Sequence, residues 1–161
     1  MSDPEPDLAR AVRALALSAR ALERAAAARD LTLAQFRVLA LIAAGDERSS
    51  LLADRLAVAK PTITAVVDGL VERGFVAREA VAGDRRSIRV AVTPSGAAAL
   101  TGARDEMSDA LERIFTHARD REAVVAALVD LDDALALRSQ ARLRDERGAD
   151  APDSGAREVS R

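Results

Sequence analysis

The chain has 161 residues, 49% of them hydrophobic and 31% charged, with a formal net charge of −2, which suits one domain with enough apolar material for a core. It has no cysteine and a single histidine, His117, which excludes disulfides, thiol redox sensing and thiolate metal sites, so no metal or cofactor is expected. Aromatics are only 2%, too few for single-strand binding by base stacking.

Apolar residues recur at Leu8, Val12, Leu15, Ala19, Leu22 and Ala26. Spacings of four and three describe a heptad-like seam on a first helix over residues 6–29. LTLAQF opens a second helix, over 33–44. Thr32 caps it, Gln35 completes a capping box, and Leu31 and Phe36 form a hydrophobic staple. Phe36, Leu39, Ala40 and Ile42 face inward, and Gly45 stops it. A short third helix over 49–58 packs through Leu52, Ala53 and Leu56.

The stretch KPTITAVVDGLVERG, residues 60–74, follows after Ala57-Val58-Ala59. At 100° per residue Ile63, Val66, Val67 and Leu70 form one apolar stripe for the core. The opposite face carries Pro61, Ala65, Asp68, Gly69 and Glu72, with Thr62 and Thr64 on its flanks and Gly74 closing the helix. Two short helices, a tight link and small residues are the elements of a helix-turn-helix. A slim helix start beside Lys60 suits a major groove.

Two β-prone runs come next, 75–81 and 87–92, with Ile88, Val90 and Val92 alternating against polar or small neighbours. AGDRR between them supplies a hairpin turn with a basic tip. A hairpin directly after a helix-turn-helix is a wing. Thr93-Pro94 then starts another helix, with a threonine cap and proline at the first position. Leu100, Met107, Leu111 and Ile114 keep one face apolar to Phe115. Asp120 caps a last helix marked by Val124, Leu128, Leu131 and Leu135 and reaching residue 143. Residues 144–161 are rich in Gly, Pro, Ser and charge and read as a flexible tail.

Between Arg48 and Val92 there are eight Lys/Arg against five Asp/Glu, a segment of +3 that leaves −5 elsewhere. This favours a basic face on the middle third of the chain. The expected fold is mainly α with a small β-hairpin wing: a winged helix-turn-helix domain over 31–93, flanked by helices at 6–29 and 94–143. Apolar seams at both ends, carried by Leu8, Val12, Leu15, Leu111, Leu128, Leu131 and Leu135, call for a second copy of the chain. A two-fold homodimer would present two reading helices about 34 Å apart, one turn of DNA. No run of about 18 apolar residues exists and the N-terminus MSDPEPD is acidic, so neither a membrane span nor a signal peptide is expected, and the expected compartment is the cytoplasm.

The segments LTLAQFRVLALI, SSLLADRLAVAKPTITAVVDGLVERGFVAR and GDRRSIRVAVTPSG resemble the MarR family (multiple antibiotic resistance regulators) in detail over residues 31–100, and the terminal helices in outline. The resemblance implies a dimeric winged-helix transcription factor, in many members a repressor relieved by a small, often phenolic or anionic, ligand. It implies that Asp84, Arg85 and Arg86 form the wing signature, with Arg86, and Arg85 beside it, reaching a minor groove where A·T tracts concentrate negative potential. Asp68 matches the aspartate that supports that arginine in the family. Lys60, Pro61, Thr62, Thr64 and Ala65 are the candidates for groove and phosphate contact. Two positions depart from the common pattern. Ala59 stands where many relatives have serine, and Ala65 where many have a mid-helix arginine. An effector cavity between the first, second and fifth helices would be lined by Leu15, Leu39 and Leu111, although plain core accounts better for all three.

The function expected is sequence-specific binding of a pseudo-palindromic double-stranded operator by a dimeric transcriptional repressor that carries out no chemistry. The alternative is a winged-helix protein-interaction module without DNA binding, supported by Ala59, Ala65 and the mild basic charge. An enzyme is not expected: His117 falls in a turn, and the adjacent pairs Asp105-Glu106 and Asp132-Asp133 diverge on their helices.

Overall fold

A computed structural model of the chain describes residues 5–45, 49–56, 58–81 and 84–149. The elements are α1 (Glu5–Ala27), α2 (Leu33–Ala43), α3 (Ser49–Leu56), α4 (Lys60–Glu72), β1 (Val76–Val81), β2 (Asp84–Val92), α5 (Pro94–Phe115) and α6 (Arg121–Ala149). Order and type are those the periodicities predict.

Local chemistry sets most of the boundaries. Thr32 accepts a 3.1 Å bond from the Gln35 backbone N–H while the Gln35 side chain takes the Thr32 N–H at 3.0 Å, the reciprocal pair expected at the start of α2. Gly45, at φ +105°, stops that helix. At the end of α4, Gly74 takes φ +70°, and the Phe75 N–H reaches back 2.9 Å to the Leu70 carbonyl, a left-handed cap that a residue without Cβ adopts freely. The first helix ends two residues before the predicted 29, because Asp30 supplies the same left-handed step at φ +56° and the Leu31 N–H bonds Ala26 O at 3.1 Å.

Two boundaries differ by more than two residues. The second wing strand starts at Asp84 rather than 87, so Asp84, Arg85 and Arg86 belong to β2 and not to the turn. The hairpin pairs in register from Val76↔Val92 to Ala80↔Ile88 and then shifts, so that Val81 faces Asp84. Residues 85–87 are taken up in that irregularity, which is how a polar tip joins an otherwise regular ladder. The last helix runs to Ala149, six residues past the predicted end, because Arg144, Asp145, Glu146 and Arg147 do not break a helix despite their tail-like polarity. The remainder of the predicted tail, residues 150–161, lies outside the described residues.

One core joins these pieces. Leu39 and Ile42 of α2, Leu52 of α3, Ile63, Val67 and Leu70 of α4, Val76 and Val90 of the hairpin, and Leu100 and Met107 of α5 are all buried together. Buried side chains among the described residues are all apolar. The centre of α4 is thus fixed on its inner face, which leaves the outer face to be offered elsewhere.

The end of α4 and the start of α5 are riveted to each other. The Thr93 and Ser95 hydroxyls both donate to the Gly74 carbonyl, at 2.6 and 2.8 Å, and the Thr93 N–H donates to Phe75 O at 3.1 Å. The Thr93 hydroxyl also accepts from the Gly96 N–H at 3.0 Å, capping α5. Gly96 is buried against Phe75, and a Cβ there would overlap the Phe75 carbonyl oxygen. Backbone cannot yield as a flexible side chain does, so Gly96→Ala should lower stability by about 3 kcal/mol in a urea titration, the upper range for overpacking.

At the far end of α5, Glu112 accepts two bonds from Arg121 across the 116–120 turn, and Asp120 caps α6 through the Ala123 N–H at 2.9 Å. The Arg121 hydrogen bond holds the Glu112 carboxyl below its ordinary pKa. A depressed folded pKa contributes stability that is complete above the ordinary carboxylate value and is lost as pH falls through the lowered one. The pair is exposed, so its worth is small and salt-sensitive. An NMR titration should find Glu112 titrating below a free glutamate, and Arg121→Gln should return it to the ordinary range.

Candidate nucleic-acid interface

The outer face of α4 begins with Lys60, Pro61, Thr62, Thr64 and Ala65, all exposed. Nothing on α4 caps its own start. Ala59 is extended, at φ −65° and ψ 142°, with no side-chain bond to the first turn, and Pro61 occupies a first-turn position where a missing N–H costs nothing. The Thr64 hydroxyl donates 3.1 Å to the Lys60 carbonyl one turn back. The Thr62 hydroxyl has no partner among the described residues.

Farther along the same face stands Asp68, whose carboxylate pairs with Arg78 of β1. Both side chains are nearly half exposed, so the pair contributes little stability. Its importance is positional, because it ties α4 to β1 and neutralises an anion on the outer face. Across the hairpin Arg89 of β2 pairs with Glu79 of β1 at 2.8 Å. The partner expected for Asp68 from the sequence was Arg86. The side chains of Asp84, Arg85 and Arg86 lie outside the described residues, and Arg78, two residues into β1, is a site residue that the sequence motifs do not name. Its position on the strand, ten residues after Asp68, was the available signal.

Arg73 braces the helix from behind. Its guanidinium donates to the Asp30 carbonyl, lies 3.5 Å from Gln35 Oε1, and sits 4.5 Å over the Phe75 ring. The α1–α2 junction and the α4–β1 junction therefore share one cation.

Comparison with known proteins decides what this arrangement is. Residues 29–87, the helix-turn-helix and most of the hairpin, match the sequence model of the MarR family. Wild-type MarR from E. coli, in its apo form, superposes with a TM-score of 0.67 at 26% identity, over 84% of this chain and 99% of its own. The transcriptional repressor CouR, bound to a 23-mer DNA duplex, gives 0.67 at 27% identity over 83% and 99%. A MarR-family transcriptional regulator from Rhodococcus sp. RHA1 gives 0.71 at 24% identity over 84% and 96%. CouR from Rhodococcus jostii RHA1 bound to p-coumaroyl-CoA gives 0.68 at 24% over 82% and 92%. No curated protein matches the chain at a significant level.

The winged helix-turn-helix at residues 29–87 matches the MarR family, and the fold is that of MarR-family winged-helix regulators. The match and the fold support a DNA-binding transcriptional regulator. α4 is then its reading helix, and the β1–β2 hairpin is its wing.

Of the residues assigned to pairing of two chains, Leu8, Val12 and Leu15 on α1 and Leu131 and Leu135 on α6 are 40–68% exposed, while Leu111 and Leu128 are half-buried. The α1 seam is divided. Leu22 and Ala26 pack into the core, whereas its first half stays bare. Leu39 is fully buried and Leu15 is 49% exposed, and among the described residues none of Leu15, Leu39 and Leu111 lines a cleft. Clefts lie elsewhere. One of about 420 Å³ is lined by Phe36 and Leu41 of α2, Leu56 of α3 and Leu135 and Ala136 of α6.

The Asp68–Arg78 pair yields a test by double substitution. Arg78→Ala leaves a bare carboxylate on the reading face and should weaken duplex binding about fivefold, the scale of a rim charge. Adding Asp68→Asn removes the repulsion and should restore most of the loss in an anisotropy titration.

Proposed function

We propose that the protein is a homodimeric repressor that binds a pseudo-palindromic operator through two copies of α4 and its wing, and that a small molecule relieves the binding. The observation that carries this reading is the outer face of α4. It is a narrow ridge of small, exposed residues held to the core from behind, with its one carboxylate near the wing neutralised by Arg78. A ridge of that width fits a major groove about 12 Å wide.

The bare apolar residues of the terminal helices support the dimer. Leu8, Val12 and Leu15 form one ridge on α1, while Val129, Leu131, Leu135 and Leu137 are distributed around α6. A helix that is apolar on several sides is one that neighbours surround. Lys60, Thr62 and the open first turn of α4 serve phosphate, as helix N-termini do. Arg86, with Arg85, serves the minor groove. Supporting relief by a ligand are the α2–α3–α6 cleft, which lies between the reading unit and an arm of the dimer, and the p-coumaroyl-CoA held by CouR. Neither catalysis nor a cofactor has a place in this scheme.

Duplex binding by the full chain tests the proposal. Operator affinity should fall steeply between about 50 and 200 mM salt as counterions are released. Arg86→Ala should weaken binding while the dimer elutes unchanged from a sizing column. Equal binding by that variant would remove the wing from the mechanism, and salt-independent binding or none would favour the protein-interaction module instead.

A further inference from the structure

The reading ridge of α4 carries an unusual set of chemical groups. Its centre, Pro61 and Ala65, is purely hydrocarbon, and both residues are exposed. On one flank Thr64 has a hydroxyl that could serve a base, but its single proton is given inward to the Lys60 carbonyl at 3.1 Å. What Thr64 keeps for the groove is a methyl group and an acceptor lone pair. Asp68, at the far end of the ridge, is held by Arg78. Among these positions no amide or guanidinium exists to pair with the O6 and N7 of guanine or the N6 and N7 of adenine, the bidentate contacts on which major-groove discrimination usually rests.

One base feature in the major groove is apolar: the C5-methyl of thymine. An alanine methyl, a threonine methyl and a proline ring can discriminate only by covering such a group or by being kept away from it. We propose, resting on the DNA-binding reading above, that Ala65 and Thr64 are specificity-determining residues. They select thymine by packing on its 5-methyl group, so that each half-site is read under α4 as T·A pairs at fixed positions and not by hydrogen bonds from arginine.

Chemically modified duplexes decide this directly. A tight-binding duplex is first selected from random DNA with the full-length protein. Each thymine of one half-site is then replaced, one at a time, by deoxyuridine, which removes the methyl and leaves the pairing intact. Burying one such carbon group is worth about fourfold in affinity, so at least one replacement under α4 should weaken binding about fourfold. Thr64→Ser keeps the hydroxyl and its inward bond and deletes only the side-chain methyl, and Ala65→Gly deletes the other. Each variant should abolish the deoxyuridine penalty at its own position and keep the penalty at the other. Ala65→Gly also weakens the helix, whereas Thr64→Ser does not, so the second variant still decides the matter if the first fails to fold. Equal binding of thymine and deoxyuridine duplexes at every position overturns the inference while leaving DNA binding intact. Persistence of the full penalty in Thr64→Ser and Ala65→Gly overturns it as well. Failure to select any duplex overturns the regulator reading and this inference together.

Discussion

The carbonyl of Gly74 is the joint on which this fold turns. It lies where α4 ends in a left-handed step, and two hydroxyls, from Thr93 at the cap and Ser95 in the first turn of α5, converge on it. Burial alone would let a helix slide or rotate on an apolar bed, since hydrophobic contact is non-directional. Directed bonds at the end of α4 remove that freedom. They also place the base of the wing, because Thr93 closes β2 and bonds Phe75 just before β1. Reading helix, wing and long connecting helix consequently meet at a few atoms, and a shift in α5 has a short path to α4.

Arg73 makes the corresponding joint to the other side. It is bound to the Asp30 carbonyl and stacked on Phe75, so α1, through its cap, is tied to the same end of α4. Arg29 and Glu106, paired at 2.9 Å, close the α1–α5 side. The reading helix is held at its C-terminal end from two directions, while Lys60, Pro61 and Thr62 at its start are exposed. That asymmetry suits a helix whose start is inserted into something and whose end is carried.

The sequence was informative wherever structure is decided locally. Thr32 with Gln35, Gly45, Gly74, Thr93-Pro94 and Asp120 mark starts and stops through bonds to residues within four positions, and each is found in that role. It was less informative where the deciding partner is distant or where charge disguises a propensity. Asp84–Arg86 read as a turn because charged residues cluster in turns, yet they extend β2. The segment from Arg144 to Arg147 read as tail, yet such residues sustain a helix. That Arg78 pairs with Asp68 depends on the first wing strand passing beside α4, for which the ten-residue separation is only a weak signal. The hydrogen bond of Thr64 to its own helix is invisible in a string of letters, although it alters what that side chain can offer.

The slimness of the α4 ridge also has an entropic side. Proline and alanine have no side-chain rotamers to lose, and a threonine already bonded to its own backbone has few. An arginine in the same place would forfeit up to about 2 kcal/mol of torsional freedom on being immobilised. A surface built from Pro61, Thr64 and Ala65 is therefore already in its final shape before contact, and its fit is set by the backbone and not by side-chain rearrangement.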